Sequence, residues 1–370
     1  MANLSVPYAI LPRIENTHVV EIDYDDDEDT NTLHRYILGV QENKLYEWKN
    51  MFMGHLGAWC VGSSKDFLML LDSNGSPFLV NPSSTKSIRL PNFPTKFMYV
   101  SYSYFVQFLR KTFVSKGVVM RSPSPSQYTL AIMYSYPCKL AFCKNGTWVQ
   151  LHDAKHTYCD IVFHNNILYA LGENCSLEAW EFGDQENPRK IFDAELKVEI
   201  DAAENVKFPE NLFSTRYYLV ISEGEFLLVE RFIGNNVNAD GVAVCEGDFD
   251  DGEIRPYRTL HFGVYKLDFR KLRWGKKKSL HDQVLFLGTN ESTSVPAKAI
   301  SGCEANSIYF TDDRLEEMGL DYSYGGHDWG VFILHDGSVK LLTPFTDKLD
   351  PPPIWVVPTS EGLSNLPLSS

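Results

Sequence analysis

Asp160-Ile161-Val162-Phe163-His164, then Asn165-Asn166, then Ile167-Leu168-Tyr169-Ala170-Leu171: two short apolar runs stand either side of a two-residue polar turn. A third run, Leu177-Glu178-Ala179-Trp180-Glu181-Phe182, follows Gly172-Glu173-Asn174. β-Branched and aromatic side chains suit a pleated, half-buried surface. Asn accepts the left-handed backbone that a two-residue hairpin turn demands. The stretch reads as a three-stranded meander. A lone meander cannot bury both of its faces, whereas meanders repeated around an axis can.

The same pattern recurs from about Tyr36 to Val357. The run 66–71 meets the turn Asp72-Ser73-Asn74-Gly75-Ser76 and continues as Phe78-Leu79-Val80, which Asn81-Pro82 stops. Residues 128–134 form another run. Leu140-Ala141-Phe142 turns at Asn145-Gly146 into Trp148-Val149-Gln150-Leu151. Tyr217-Tyr218-Leu219-Val220-Ile221 turns at Glu223-Gly224 into residues 226–232. Gly330-Val331-Phe332-Ile333-Leu334 turns at Asp336-Gly337 into Val339-Lys340-Leu341-Leu342. The expectation is an all-β chain, a single-domain β-propeller of roughly six or seven four-stranded blades at ~40–50 residues each. The segment 234–256 is polar and reads as a long interblade loop; Arg314-Leu315-Glu316-Glu317-Met318 reads as a short helical turn in a loop.

The divisions expected are an acidic N-terminal segment 1–34, a propeller 35–357 and a disordered C-terminal tail 358–370. Asp23-Tyr24-Asp25-Asp26-Asp27-Glu28-Asp29 is a self-repelling block that stays solvated. Its acids are contiguous and no glycine turn follows, which does not suit a calcium loop. Of the 370 residues, 13% are aromatic, and the net charge is −14. That balance disfavours nucleic acid and anionic membranes as partners. No basic-then-apolar leader opens the chain and no uncharged apolar run approaches about 18 residues; cytoplasm or nucleus is expected, with an organelle left open. Seven scattered cysteines (60, 138, 143, 159, 175, 245 and 303) with no CxxC pair read as reduced, packed thiols. Two glycosylation sequons, at Asn145 and Asn290, read as chance matches.

Little in the chain points to chemistry. Gly62-Ser63-Ser64-Lys65 lacks the flanking glycine of a phosphate loop. His152 and His156 lie four apart on a strand–turn–strand stretch, where they would not share a helix face. Asp312-Asp313 and His327-Asp328-Trp329 are the best acid–base candidates. Both clusters fall at strand ends, where polar residues cap strands and fix turns, so a structural role is expected. Lys271-Leu272-Arg273-Trp274-Gly275-Lys276-Lys277-Lys278 is the one basic run, read as a hairpin tip. No catalytic, cofactor-binding or metal-binding residue is assigned, no cofactor is expected, and the chain is expected to be a monomer.

Three ordered stretches carry a resemblance. The first is Cys60-Val61-Gly62-Ser63-Ser64-Lys65-Asp66-Phe67-Leu68-Met69-Leu70-Leu71-Asp72, with Leu79-Val80-Asn81-Pro82 and Ile88-Arg89-Leu90-Pro91 after it. The second is Val284-Leu285-Phe286-Leu287-Gly288-Thr289-Asn290-Glu291-Ser292. The third is Asn306-Ser307-Ile308-Tyr309-Phe310-Thr311-Asp312-Asp313 with Trp329-Gly330-Val331-Phe332. Together they resemble the KIB-type β-propeller domain of plant F-box-associated, kelch-like proteins, over about residues 35–357. The resemblance implies a non-catalytic propeller that presents a face to a client protein. It also implies, in full-length members, an F-box that docks an SCF ubiquitin ligase. Leu11-Pro12 is present here, but residues 13–32 lack an amphipathic helix, so no F-box is expected in this sequence. The implied roles are close backbone approach for Gly288, turn hydrogen bonds for Asn290 and Asp312, and core for Phe286, Tyr309, Phe310 and Phe332. Two alternatives stay open: a substrate receptor of an SCF-type ligase, and a propeller hydrolase with carboxylates near the central channel.

Overall fold

A computed structural model describes residues 8–11, 34–39, 44–49, 58–64, 67–81, 87–94, 97, 112–121, 128–135, 137–151, 156–182, 187–199, 206–245, 256–300, 302–314, 326–342 and 353–356. The acidic block 23–29, His152, residues 315–318 and the tail 358–370 lie outside the described residues.

The opening meander forms as read. Tyr158–His164, Ile167–Gly172, Leu177–Glu181 and Arg189–Ala194 hydrogen-bond as one antiparallel sheet. Asn165 and Asn166 take φ of 51° and 63°, so both central residues are left-handed. Two left-handed residues give a turn whose twist matches that of its strands. Asn145-Gly146 (φ 53° and 76°) and Glu223-Gly224 (50° and 78°) repeat the device. The Asp72 turn works differently. Only Gly75 is left-handed, and the Asp72 carboxylate accepts the N–H groups of Asn74 and Ser76, each at 2.8 Å.

Six sheets form among the described residues. In chain order the first combines Tyr8–Leu11, His34–Gly39 and Lys44–Lys49 with Ile354–Val356 from the far end of the chain. The second holds Trp59–Ser64, Phe67–Leu71, Pro77–Val80 and Ser87–Arg89. The third holds Val114–Arg121, Tyr128–Tyr134, Lys139–Lys144 and Thr147–Gln150. The meander above is the fourth. The fifth contains Lys197–Val198, Phe213–Ser222, Glu225–Gly234, Arg258–Asp268 and Arg273–Lys276. The sixth contains Gln283–Leu287, Thr293–Pro296, Ser307–Phe310, Gly330–Ile333 and Ser338–Leu341. The chain is a β-propeller.

The strand runs look continuously apolar because both faces are covered. Ile132 packs toward the second sheet, while its neighbours Ala131 and Met133 pack toward the fourth. Leu227 and Val229 join the cluster between the fifth and sixth sheets, and Leu228 joins that between the fourth and fifth. Trp355 and Ala9 of the first sheet bury against Phe286 and Tyr309 of the sixth.

Two expectations change. Two sheets have five strands rather than four. In the sixth, the chain enters at Gln283–Leu287, turns inward to Thr293–Pro296, then returns as Ser307–Phe310 parallel to Gln283–Leu287. The segment 234–256 is not an interblade loop: it links Glu225–Gly234 to Arg258–Asp268, antiparallel neighbours in the same sheet. The N-terminal segment supplies a strand as well. Its residues Tyr8–Leu11 pair with both Ile354–Val356 and His34–Gly39. A sheet shared by the two ends of the chain covers edges that would otherwise be open.

Inner strands meet closely at the axis. A Cβ placed on Gly62 would overlap the carbonyl of Gly117 on the neighbouring sheet. Gly62→Ala is therefore expected to destabilise by about 1–3 kcal/mol, the usual cost of overpacking. A urea unfolding curve checks it, and an unshifted midpoint would mean that the two backbones separate freely.

Candidate functional site

Three polar constellations lie where the sheets converge. The first pins the axis. Asp160, fully buried on the innermost strand of the fourth sheet, receives the Lys116 ammonium of the third sheet at 2.5 Å. It also accepts the Leu219 N–H of the fifth sheet at 2.8 Å and the Ser292 hydroxyl at 3.0 Å, on the turn before the inner strand of the sixth. Its own neighbour Ile161 donates an N–H at 2.7 Å. One carboxylate thus ties four sheets. The turn 288–292 brings Ser292 to it, and the Glu291 N–H reaches the Ser63 carbonyl of the second sheet at 3.2 Å. Farther along the axis, Ser222 and Ser294 hydroxyls meet at 2.8 Å.

The second constellation gathers the acid–base candidates around a residue that the sequence did not single out. Arg231 is completely buried on the strand Glu225–Gly234. Its guanidinium donates to Asp328 Oδ2 at 3.0 Å, Asp313 Oδ1 at 3.2 Å and the Thr259 hydroxyl at 2.7 Å. The carbonyls of Thr311 and Asp328, at 2.9 and 3.0 Å, and the Tyr218 hydroxyl at 3.0 Å take the remaining protons. Its plane lies over the Phe310 ring, 4.7 Å from the centroid. Asp312 sits on the far side, accepting the Tyr257 hydroxyl at 2.6 Å and the Asp328 N–H at 3.3 Å. His327 places Nε2 3.1 Å from the Tyr257 carbonyl. The network joins the fifth sheet to the sixth at strand ends, as the sequence suggested.

Burial pushes the Asp312 carboxyl upward, and the neighbouring charge of Asp328 adds to it. A carboxyl raised in the folded state binds its proton more tightly there than in the unfolded chain, so its contribution to stability is lost as pH rises. The stability difference between the wild type and Asp312→Asn is expected to shrink from about pH 4, the ordinary Asp range, upward. Urea unfolding across a pH series measures it, and a difference that grows with pH would overturn the assignment.

The third constellation is a cavity of about 420 Å³ at the mouth where the inner strands of the third, fourth and fifth sheets begin. Lys116, Tyr158, Cys159, Arg216, Tyr218 and Asp313 are among its walls, and Gly288 and Thr289 approach from the turn 288–292. Asp313 accepts the Tyr218 hydroxyl at 2.8 Å, and Arg216 Nε stands 3.7 Å from its other oxygen. Burial, reinforced by the Asp160 charge, drives the Cys159 thiol well above its usual range, so it stays protonated. The same cause lifts Cys143 and Cys303 to about 11 and Cys175 to about 12. Thiols at such values supply almost no thiolate for chemistry at neutral pH. None of the seven cysteines is in a disulfide.

The other sequence candidates are absorbed locally. In the basic run, Arg273 pairs with Glu199, Lys277 with Glu225 at 3.0 Å, and Lys271 with Asp268 at 3.9 Å. His156 comes near Glu178 and Asp193, but Lys190 Nζ occupies the space between those carboxylates, at 2.9 and 3.3 Å. A cation is already in place there. Gly288 has its close approach, because a Cβ there would overlap the Thr311 hydroxyl. Asn290 is not a turn residue in its bonding: its amide donates to the Trp355 carbonyl at 3.1 Å, tying the last strand down. Phe286, Tyr309, Phe310 and Phe332 are core. Among the described residues no helix is long and apolar enough to cross a membrane.

Comparison with known proteins finds relatives among plant F-box proteins. SKIP23, an F-box protein of Arabidopsis thaliana, is 28% identical over 254 residues, covering 66% of this chain and 58% of its own length. The F-box/kelch-repeat protein KIB1 of the same plant is 20% identical over 310 residues, covering 81% of this chain and 67% of itself. A further Arabidopsis F-box protein is 39% identical over 91 residues, only 19% of its length. The chain thus spans less than two thirds of the length of two of these three relatives. Among solved structures, BBS1N in complex with ARL6DN aligns over 86% of this chain and 74% of its own at 12% identity and a TM-score of 0.35. The KIB1-4 beta-propeller family model matches residues 37–356, and the chain belongs to that family.

Proposed function

We propose that this propeller is a non-catalytic interaction module that presents one face to a client protein. The observation that carries the reading is the fate of the acid–base candidates. Asp312, Asp328 and His327 are buried and committed to bonds between the fifth and sixth sheets. A general base must reach a substrate proton, and these groups face one another instead. Family membership supports the reading, since relatives are named as F-box proteins. The test is affinity purification of the tagged chain from plant cells at physiological salt, with mass spectrometry. Reproducible capture of a protein partner supports it; its absence across replicate tissues would sink it.

A second reading, substrate receptor of an SCF-type ubiquitin ligase, is favoured by the F-box names of the relatives alone. Ligase adaptor and cullin subunits in the same purification would support it. Partners without those subunits would leave a free-standing binder.

A further inference from the structure

We infer that the hairpin tip 269–272 of the fifth sheet, with the basic residues beside it, is a docking surface for an acidic peptide segment that carries an apolar anchor. The inference rests on the interaction reading and names the surface that would serve it. Arg258–Asp268 and Arg273–Lys276 meet at this tip. Lys266 stands opposite Leu227, which sets the tip beside the turn Glu223-Gly224, at the end of the propeller away from the cavity. Phe269 and Leu272 are 47% and 43% exposed, two of the five large apolar side chains exposed among the described residues. Single exposed apolar side chains are ordinary; two within one tip, among cations, form a patch. Leu272 also holds φ at 47°, in the left-handed region that a leucine seldom adopts. A tip shaped by folding alone would carry Gly or Asn there, as the turns at Gly146, Asn166 and Gly224 do. Phe269 is held in place: its ring meets Phe226 at 5.4 Å and Phe192 at 5.9 Å, edge to face. Tyr169 continues the row, 4.6 Å from Phe226. These rings bridge the fourth and fifth sheets, so the apolar surface is ordered before a partner arrives, which lowers the cost of docking.

Charge selects the partner. Residues 266–278 carry seven Lys or Arg and one carboxylate, in a chain of net charge −14. That carboxylate, Asp268, is taken up by the backbone N–H groups of Arg270 and Lys271, at 3.0 and 3.2 Å. Glu225 and Glu199 reach in from other strands to pair with Lys266, Lys277 and Arg273. These three carboxylates offset part of the charge, and Arg270, Lys271 and Lys278 stand exposed. The excess of cations surrounds the two exposed apolar side chains. Acids on a partner answer the cations, and one aromatic or aliphatic side chain covers Phe269 and Leu272. A nucleic acid or an anionic membrane would bring many negative charges against the rest of an acidic chain. A short acidic segment meets the tip alone.

The probe is a labelled synthetic peptide of Asp and Glu around one Phe and one Leu, titrated against the full chain and read by fluorescence anisotropy. It is expected to bind, and more weakly as salt screens the exposed charges. The same peptide with Ser in place of Phe and Leu is expected to bind about tenfold more weakly, and one with Lys in place of the acids not to bind. The double variant Arg270→Glu, Lys271→Glu is expected to weaken binding of the acidic peptide about tenfold. Leu272→Gly is expected to weaken it about fivefold, the share of a leucine's burial still open at this tip. Glycine accepts the left-handed backbone, so this variant keeps the fold and the test open if the charge reversal does not. No binding of the acidic peptide, tighter binding of a single-stranded RNA or of phosphatidylserine vesicles, or an affinity unchanged in folded Leu272→Gly would each overturn the inference. A wild-type chain that captures no protein from plant cells sinks the interaction reading and this inference with it; a captured protein that Leu272→Gly retains in full sinks this inference alone.

Discussion

Arg231→Ala is expected to lower unfolding free energy by about 3–5 kcal/mol, the range for removing one partner of a buried ion pair. Truncation leaves Asp328 and Asp313, 0% and 9% exposed at their side chains, without the cation that lies 3.0 and 3.2 Å away. It also strips donors from the Thr311 and Asp328 carbonyls and removes the guanidinium from the Phe310 ring. Arg231→Lys keeps the charge but not the planar fork, and an ammonium cannot serve six acceptors set around a plane; it is expected to fall between wild type and Ala. Arg216→Ala is the control. That side chain is 35% exposed and stands 3.7 Å from the same Asp313, so a loss below about 1 kcal/mol is expected. Urea denaturation with unchanged m-values reads all three. If Arg231→Ala and Arg216→Ala shift the midpoint equally, the buried network does not hold the fifth and sixth sheets together. Total stability of ordinary domains is about 5–15 kcal/mol, so the larger loss would also reduce the yield of soluble protein.

Much of the fold was legible because each hairpin states its own cause. Asn165-Asn166, Asn145-Gly146 and Glu223-Gly224 announce turns by residue type, and the apolar runs on either side announce strands covered on both faces. What was not legible depended on partners distant in sequence. Arg231 sits within the run Glu225–Gly234, and nothing local marks it as the centre of a network; its acceptors on the sixth sheet, Thr311, Asp313 and Asp328, lie 80 to 97 residues away. A charged residue inside an otherwise apolar strand was the available signal, since such a residue must be paired where it is buried. Lys116 within Val114–Arg121 and Asp160 at the head of the quoted meander carry the same signal. The pairing of Tyr8–Leu11 with Ile354–Val356 spans nearly the whole chain, and no short-range pattern encodes it. The parallel return in the sixth sheet was hidden for a related reason. Its turn 288–292 suggests only local roles for Gly288 and Asn290, while Ser292 reaches the axis and Asn290 the last strand.

Asp160→Ala carries the other large expected effect, and its reversal is as informative as the loss. The substitution leaves the Lys116 ammonium buried with one remaining contact, the Ser292 hydroxyl at 3.3 Å. It also leaves the Leu219 N–H without the acceptor that it has at 2.8 Å. A cost of about 3–5 kcal/mol is expected, most of it from the stranded cation. Lys116→Met in the same chain removes that cation with an apolar side chain of similar length, so the double variant is expected to be more stable than Asp160→Ala alone. A double-mutant cycle reports the coupling, expected above about 1 kcal/mol for groups in contact. Hydrogen exchange locates the damage: the Leu219 amide, protected in the wild type by a carboxylate from another sheet, should exchange faster in both Asp160 variants. If instead the two substitutions add without coupling and Leu219 stays protected, the inner strands hold their positions by apolar packing alone. The buried pair would then serve to fix which strands meet at the axis rather than how firmly, since buried ion pairs are weak evidence for stability as such. Either result separates cohesion from register at a carboxylate that touches the third, fourth, fifth and sixth sheets.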